Sequence, residues 1–276
     1  MIPKRPVTVV PLFPEERERL LELLKGLSPG QFRLPTSCPG WAVHDLVSHV
    51  IGDNLAGLSG GRDAHSAESY RGTSWPELVD FINQQNEAWV VALRRLSPRV
   101  LIDLLESSGG SLDRYFGILD PMQLGPNVAW VGEGPMPMWL HIAREYTERW
   151  VHQSQIREAL EVPMLDKPRF LHPVLDTFVH ALPNAYQAVD APPGTHVEVE
   201  ISGDAGGSWS LVRHDTAWML MEDVASAPTA RVKLDQDTAW RLWTRGIRKD
   251  VAAKNTAFSG AEELCHPTLR AVAMIV

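Results

Sequence analysis

"APPGTHVEVEIS", residues 191–202, is where the chain changes its rhythm. Upstream of it, apolar residues recur three and four apart, the spacing that lays one face of an α-helix on a core. From His196 onward they alternate one in two, the spacing of a strand with one face buried. The Pro-Pro-Gly between the two regimes suits neither a helix interior nor a central strand. The chain therefore reads as an α+β protein, with a helical domain over 1–190 and a small α/β domain over 191–276.

Downstream, "HVEVEIS", "SWSLVRH", "AWMLMED" and "ARVKLD" alternate as half-buried antiparallel strands do. "DQDTAWRLWTRG" follows, a short helix that Asp235 or Asp237 caps and Gly246 ends, and the tail reads as one more strand and a last helix. Upstream, the first helix spans about 14–27, with Leu20, Leu21, Leu24 and Leu27 on one face and Pro14 in its first turn. The second spans about 41–58, with Val43, Leu46, Val47, Val50 and Ile51 as its core stripe. A third begins at "SWPELVDF", where Ser74 and Glu77 have the spacing of a capping box and Pro76 suits the first turn. A fourth begins at "SPRVLIDLL"; a fifth covers about 136–160 and a sixth 168–189.

Composition narrows the function. With 276 residues and 44% hydrophobic content the chain can bury a sizeable core. Its 34 acidic and 26 basic residues are scattered, for a net charge of −8, so no basic stripe exists to neutralise a nucleic-acid backbone. Cys38 and Cys265 lie far apart with no C-x-x-C spacing, which argues against a disulfide scaffold and fits a reducing cytoplasm. Prolines and charges break up "MIPKRPVTVVPLFPEERERL", so it lacks the apolar core of a signal peptide, and no run reaches the ~18 apolar residues of a membrane span. A soluble cytoplasmic protein is expected. No G-x-G-x-x-G or Walker loop and no internal repeat are present.

The chemistry-bearing residues concentrate in the fifth helix. In "ERWVHQSQIR" (148–157), Glu148 and His152 are four apart, hence on one helix face and able to converge on one point. Such a pair is equally compatible with a solvated surface contact. Two features favour a metal site. His141, Glu145, Glu148 and His152 form a polar stripe flanked by Trp139, Ile142, Tyr146 and Trp150, which suits a bundle interior. His49 on the second helix sits between core positions Leu46 and Val50, where it can point across a bundle. His49, Glu148 and His152 together would make a His₂-carboxylate set with an open position, the arrangement of a catalytic rather than a structural divalent site.

"PTSCPGWAVHDLVSHVIG" (35–52) and "EYTERWVHQSQIREAL" (145–160) resemble the two signatures of the mycothiol-dependent maleylpyruvate isomerase family, within the DinB-like group of metal-binding four-helix bundles. The region 196–276 resembles that family's small, sterol-carrier-like C-terminal α/β domain. The resemblance covers nearly the whole chain. It implies a zinc-like divalent metal on His49, Glu148 and His152, and a low-molecular-weight thiol, mycothiol, that the metal turns into a thiolate. An isomerase would add that thiolate to an activated cis double bond, allow rotation and release it; a transferase would leave it on a small electrophile. The chain departs from the family's "H-x-x-D-I-R" style run, having Gln155 in place of the acid. Arg241, Arg245 and Arg248 are candidates for gripping a carboxylate or the thiol's polar groups.

Other residues are weighed beside these. Asp45 and Asp53, four residues either side of His49, are candidates to orient its ring. His141 and Glu145 are candidates for proton transfer, and Cys38 reads as structural. The Gly/Pro-rich stretch 113–138 is long enough to cover a site mouth. A metal-dependent hydrolase using water as nucleophile, and a non-catalytic binding protein of the same fold, are the competing readings. Oligomeric state is not legible.

Overall fold

Ser97 and Ser74 each turn a side-chain oxygen onto the third N–H of the helix that follows them, at Val100 and Glu77, and each is followed by a proline in the helix's first turn. These local signals fix where the helices begin. In the computed structural model, which describes residues 2–65, 70 and 74–274, the first four are α1 (Leu12–Lys25), α2 (Val43–Ala56), α3 (Trp75–Leu93) and α4 (Pro98–Gly117). A long α5 (Met138–Ala159), α6 (Pro168–Phe178) and a single-turn α7 (Leu182–Ala185) complete the helical part. The sixth helix, expected to run to 189, instead tightens to a 3₁₀ turn at Val179–Ala181 and restarts. Pro183 explains the break, since it has no N–H to bond the carbonyl four residues back.

The chain forms two compact units that interleave in sequence. One is Val9–Asp120 with Glu148–Leu165; the other is Met1–Thr8 with Pro121–Thr147 and Asp166–Val276. The sequence boundary at 190/191 falls inside the second unit. Its residues upstream of that boundary are tied to those beyond it: the Trp218 indole donates to Val189 O at 3.0 Å, and the Tyr186 hydroxyl donates to Leu264 O at 2.6 Å.

The first unit is a helix bundle whose core is formed by Leu20, Leu21 and Leu24 of α1, Val43, Leu46, Val47, Val50 and Ile51 of α2, Leu101 and Leu105 of α4, and Ile156 of α5, with Phe32. The 3.6-residue period puts these on facing stripes. α2 and α3 approach closely at Gly52, where a Cβ would stand 2.8 Å from Cγ and 3.0 Å from Cβ of Trp89. Those atoms lie next to the backbone and cannot swing aside. Gly52→Ala is therefore expected to destabilise the bundle by about 1–3 kcal/mol, to be read as a lowered midpoint in urea with an unchanged slope.

The second unit is built on a six-stranded sheet. The strands are β1 (Ile2–Pro3), β4 (His196–Ser202), β5 (Gly207–Arg213), β6 (Trp218–Glu222), β7 (Ala230–Asp235) and β8 (Ala257–Gly260), in the order β1-β6-β5-β4-β7-β8. A two-stranded ladder of β2 (Leu124–Gly125) and β3 (Met136–Pro137) lies apart. β4 to β6 form an antiparallel meander, and β7 returns parallel to β4 with Val199 opposite Val232. The alternation seen in the sequence is the burial pattern: Ala230, Val232 and Leu234 are buried and Arg231 and Lys233 exposed. α8 (Gln236–Trp243) and α9 (Lys249–Lys254) follow β7. Asp235 caps α8, donated to by Thr238 N at 2.9 Å. The left-handed residue that closes α8 is Arg245, not the expected Gly246. In place of a last helix the tail makes short 3₁₀ turns, Glu262–Leu264 and His266–Arg270.

The stretch 113–138 is not structureless. It completes α4 and holds the β2–β3 ladder, and it buries Val128 and Trp130, whose carbonyl accepts from Asn184 at 3.2 Å. Among the described residues no helix is long and apolar enough to cross a membrane.

Candidate metal centre

α2 enters the bundle with Leu46, Val47, Val50 and Ile51 buried, and the same packing buries His49. On α5, Trp150, Val151 and Ile156 are fully buried, which turns Glu148 and His152 inward. Both histidines are about nine-tenths covered or more and Glu148 is half-buried. One ligand atom from each of His49, Glu148 and His152 lies within 4.8 Å of the other two. The imidazoles of His49 and His152 meet edge to face, with centroids 4.6 Å apart at 89°. Glu148 Oε2 is 3.6 Å from His152 Nε2.

A donor set of two imidazoles and one carboxylate suits a divalent cation. Ligands about 2.1 Å from a tetrahedral ion stand about 3.4 Å from each other. The Glu148–His152 separation is already close to this, and the wider pairs need only a small inward rotation. The residues therefore fit a metal ion.

The side of His152 away from Glu148 is also engaged. Its Nδ1 is 2.8 Å from Gln155 Oε1. A carbonyl oxygen only accepts, so Nδ1 carries the hydrogen and Nε2 is the atom turned to Glu148. The Cys38 thiol donates to the same oxygen at 3.3 Å. Burial by itself would lower the pKa of His152, yet hydrogen bonds and charges from Cys38 and Glu148 outweigh it and raise it to about 10. The charge of Glu148 thus favours a positive partner at this point.

Around His49, Asp53 Oδ2 lies 3.4 Å from Nε2, and the Trp41 ring packs at 5.2 Å. Asp45 is placed otherwise. Its carboxylate accepts from Ala42 N at 3.0 Å and from Arg94 Nε at 2.9 Å, so these contacts cap α2 and anchor Arg94. Asp45→Ala is accordingly expected to cost about 1 kcal/mol of stability with zinc affinity unchanged; a loss of metal in this variant would instead give Asp45 a role at His49.

His141 and Glu145 lie on the part of α5 that belongs to the other compact unit, where Glu145 accepts from the guanidinium of Arg144. The three arginines also belong to that unit. Arg241 pairs with Asp237 at 2.8 Å and stacks on Trp240, Arg248 pairs with Asp250 at 2.9 Å, and Arg245 is exposed just past α8. What the sequence reading missed is the bond from Gln155 to His152. The i, i+3 spacing on one helix was the available signal.

The mycothiol maleylpyruvate isomerase N-terminal domain family matches residues 13–157, a segment that holds all three candidate ligands and just over half of the chain. Two solved structures are similar over 91% of this chain and 91% of their own. One is a mycothiol-dependent maleylpyruvate isomerase, at 14% identity and a TM-score of 0.53. The other is a histidine-to-alanine mutant of a mycothiol-dependent maleylpyruvate isomerase, at 13% identity and 0.53. At such identity the likeness is one of fold, and it bears out the α+β architecture of helices followed by a sheet. None of the curated proteins matches the chain. On the strength of the matched segment, the chain belongs to the mycothiol maleylpyruvate isomerase family.

Proposed function

We propose that the protein is a metal-dependent enzyme that uses a low-molecular-weight thiol, mycothiol by analogy with its relatives, as an isomerase or S-transferase on a small electrophile. His49, Glu148 and His152 would hold the cation, with zinc the best match to two imidazoles and a carboxylate. The observation that carries the reading is the convergence of their ligand atoms within 4.8 Å. The family match supports the thiol.

A divalent cation bound by three protein ligands keeps a place for a thiol and acidifies it. The chain's own residues supply the rest. Gln155 holds the His152 ring, Asp53 holds that of His49, and the Trp41 ring packed on His49 limits water. In the isomerase reaction the thiol sulfur adds to a cis double bond conjugated to a carbonyl. Rotation about the resulting single bond follows, and elimination then returns the thiol and the trans product. In a transfer the sulfur–carbon bond persists and the leaving group departs.

The test is turnover of maleylpyruvate and of simple S-acceptors by the zinc-loaded protein, with and without mycothiol. Dependence on the thiol is expected. Turnover that is undiminished without it would replace this reading by hydrolysis with water as the nucleophile.

A further inference from the structure

Gln155 lies on α5 one turn beyond His152, and two hydrogen-bond donors converge on its side-chain oxygen: His152 Nδ1 at 2.8 Å and Cys38 Sγ at 3.3 Å. A primary amide has an accepting end and a donating end, and the two are nearly the same size. If the NH₂ end faced the ring, the imidazole would have to place its hydrogen on Nε2, and the atom facing Glu148 would lose its lone pair. Cys38 weighs against that alternative: its S–H approaches the same atom from the segment before α2, so two donors face the amide oxygen that meets the ring.

The geometry points to Gln155 as the positioning residue of the metal centre: its amide oxygen, oriented by the Cys38 thiol, keeps His152 in the tautomer whose Nε2 faces the cation, and does so without adding a charge. This inference rests on the metal-site reading above. An outer acceptor that orients a ligating histidine commonly governs metal affinity. A carboxylate in this place would draw the Nδ1 hydrogen more strongly and partly neutralise the ion. The neutral amide leaves Glu148 as the only carboxylate of the candidate ligand set, so the cation keeps more of its charge for the incoming sulfur.

The experiment measures Zn²⁺ affinity of the full-length protein by competition with a chromophoric chelator, in the parent chain and in Gln155→Met, Gln155→Glu and Cys38→Ala. Gln155→Met keeps the volume and lacks the amide acceptor; it is expected to weaken zinc binding about 10–100-fold. Gln155→Glu restores an acceptor and is expected to bind at least as tightly as the parent. Cys38→Ala removes only the second donor and is expected to weaken binding about fivefold. Zinc affinity in Gln155→Met within about twofold of the parent, or in Gln155→Glu as poor as in Gln155→Met, would overturn the assignment. A parent chain that takes up no zinc would refute the metal-site reading itself. The Gln155 contact is then still decided by ¹⁵N-resolved exchange of the His152 Nδ1–H in metal-free protein, which should be protected in the parent and unprotected in Gln155→Met. An unprotected proton in the parent would end the inference.

Discussion

Replacing His49, Glu148 or His152 by alanine is expected to abolish stoichiometric uptake of a divalent cation, and thiol-dependent turnover with it, while the chain stays folded. Each of the three supplies one of the ligand atoms that meet within 4.8 Å, so each variant leaves two protein ligands. The loss should exceed the roughly 10–100-fold typical of disturbing only an outer contact. The fold should survive because the surrounding helices are held by Leu46, Ile51, Trp150 and Ile156, which the substitutions do not touch. His152→Ala also leaves the mostly buried Glu148 carboxylate without its imidazole partner, so Glu148→Ala is the gentler variant for stability. Elemental analysis of the purified variants, beside far-UV circular dichroism, gives the answer. One equivalent of metal retained in all three would dispose of the centre.

Two buried groups should make stability depend on pH in opposite senses over nearly the same window. Glu16 on α1 is buried, and desolvation raises its carboxyl from 4.5 to about 7, although Gln153 donates to it and Arg149 and Arg17 lower it. Its protonated form is the one the fold favours. The contribution is therefore fully present below pH 4.5 and is lost as pH rises through about 7, to a total of about 3 kcal/mol. His180 behaves in the opposite sense. Burial, aided by the Lys4 charge, lowers its pKa from 6.5 to about 4. Its contribution is fully present above pH 6.5 and lost as pH falls through about 4, again by about 3 kcal/mol. The two windows overlap, so the contributions offset each other in the parent chain, and each emerges when the other group is replaced by one that cannot titrate.

Glu16→Gln keeps the shape and an acceptor for Gln153 but cannot ionise. It should match the parent chain near pH 4 and exceed it by up to about 3 kcal/mol at pH 8. Urea denaturation of both proteins at several pH values measures the difference. A Glu16→Gln variant whose stability changes between pH 4 and 8 just as the parent's does would show that Glu16 contributes no pH dependence.

The parts of this protein that were legible in the sequence are those set by neighbours along the chain. Ser74 and Ser97 start helices because their oxygens reach N–H groups three residues on, and the strands after 195 announce themselves because side chains alternate faces. His49, Glu148 and His152 were legible as candidates because helix geometry puts residues four apart on one face, and because a histidine beside the core stripe of Leu46 and Val50 can reach across a bundle. Asp45 shows the limit of spacing. Its place fits both a cap and a partner for His49, and Arg94, 49 residues away, is what accompanies the cap.

Tertiary structure alone decided the rest. The N-terminal Ile2–Pro3 becomes an edge strand only because it meets Met221 and Glu222, and two residues carry no period that could announce it. The interleaved units, with α5 serving both, follow from contacts such as Trp139 with His180 and Trp150 Nε1 with Leu165 O, which no local pattern encodes. Gln155 is the sharpest case: its spacing from His152 was visible, but the convergence of Cys38 on the same oxygen joins residues 117 apart in the chain. Local stereochemistry and burial period are written in consecutive side chains, whereas a coordination site and its supports depend on which distant surfaces pack together.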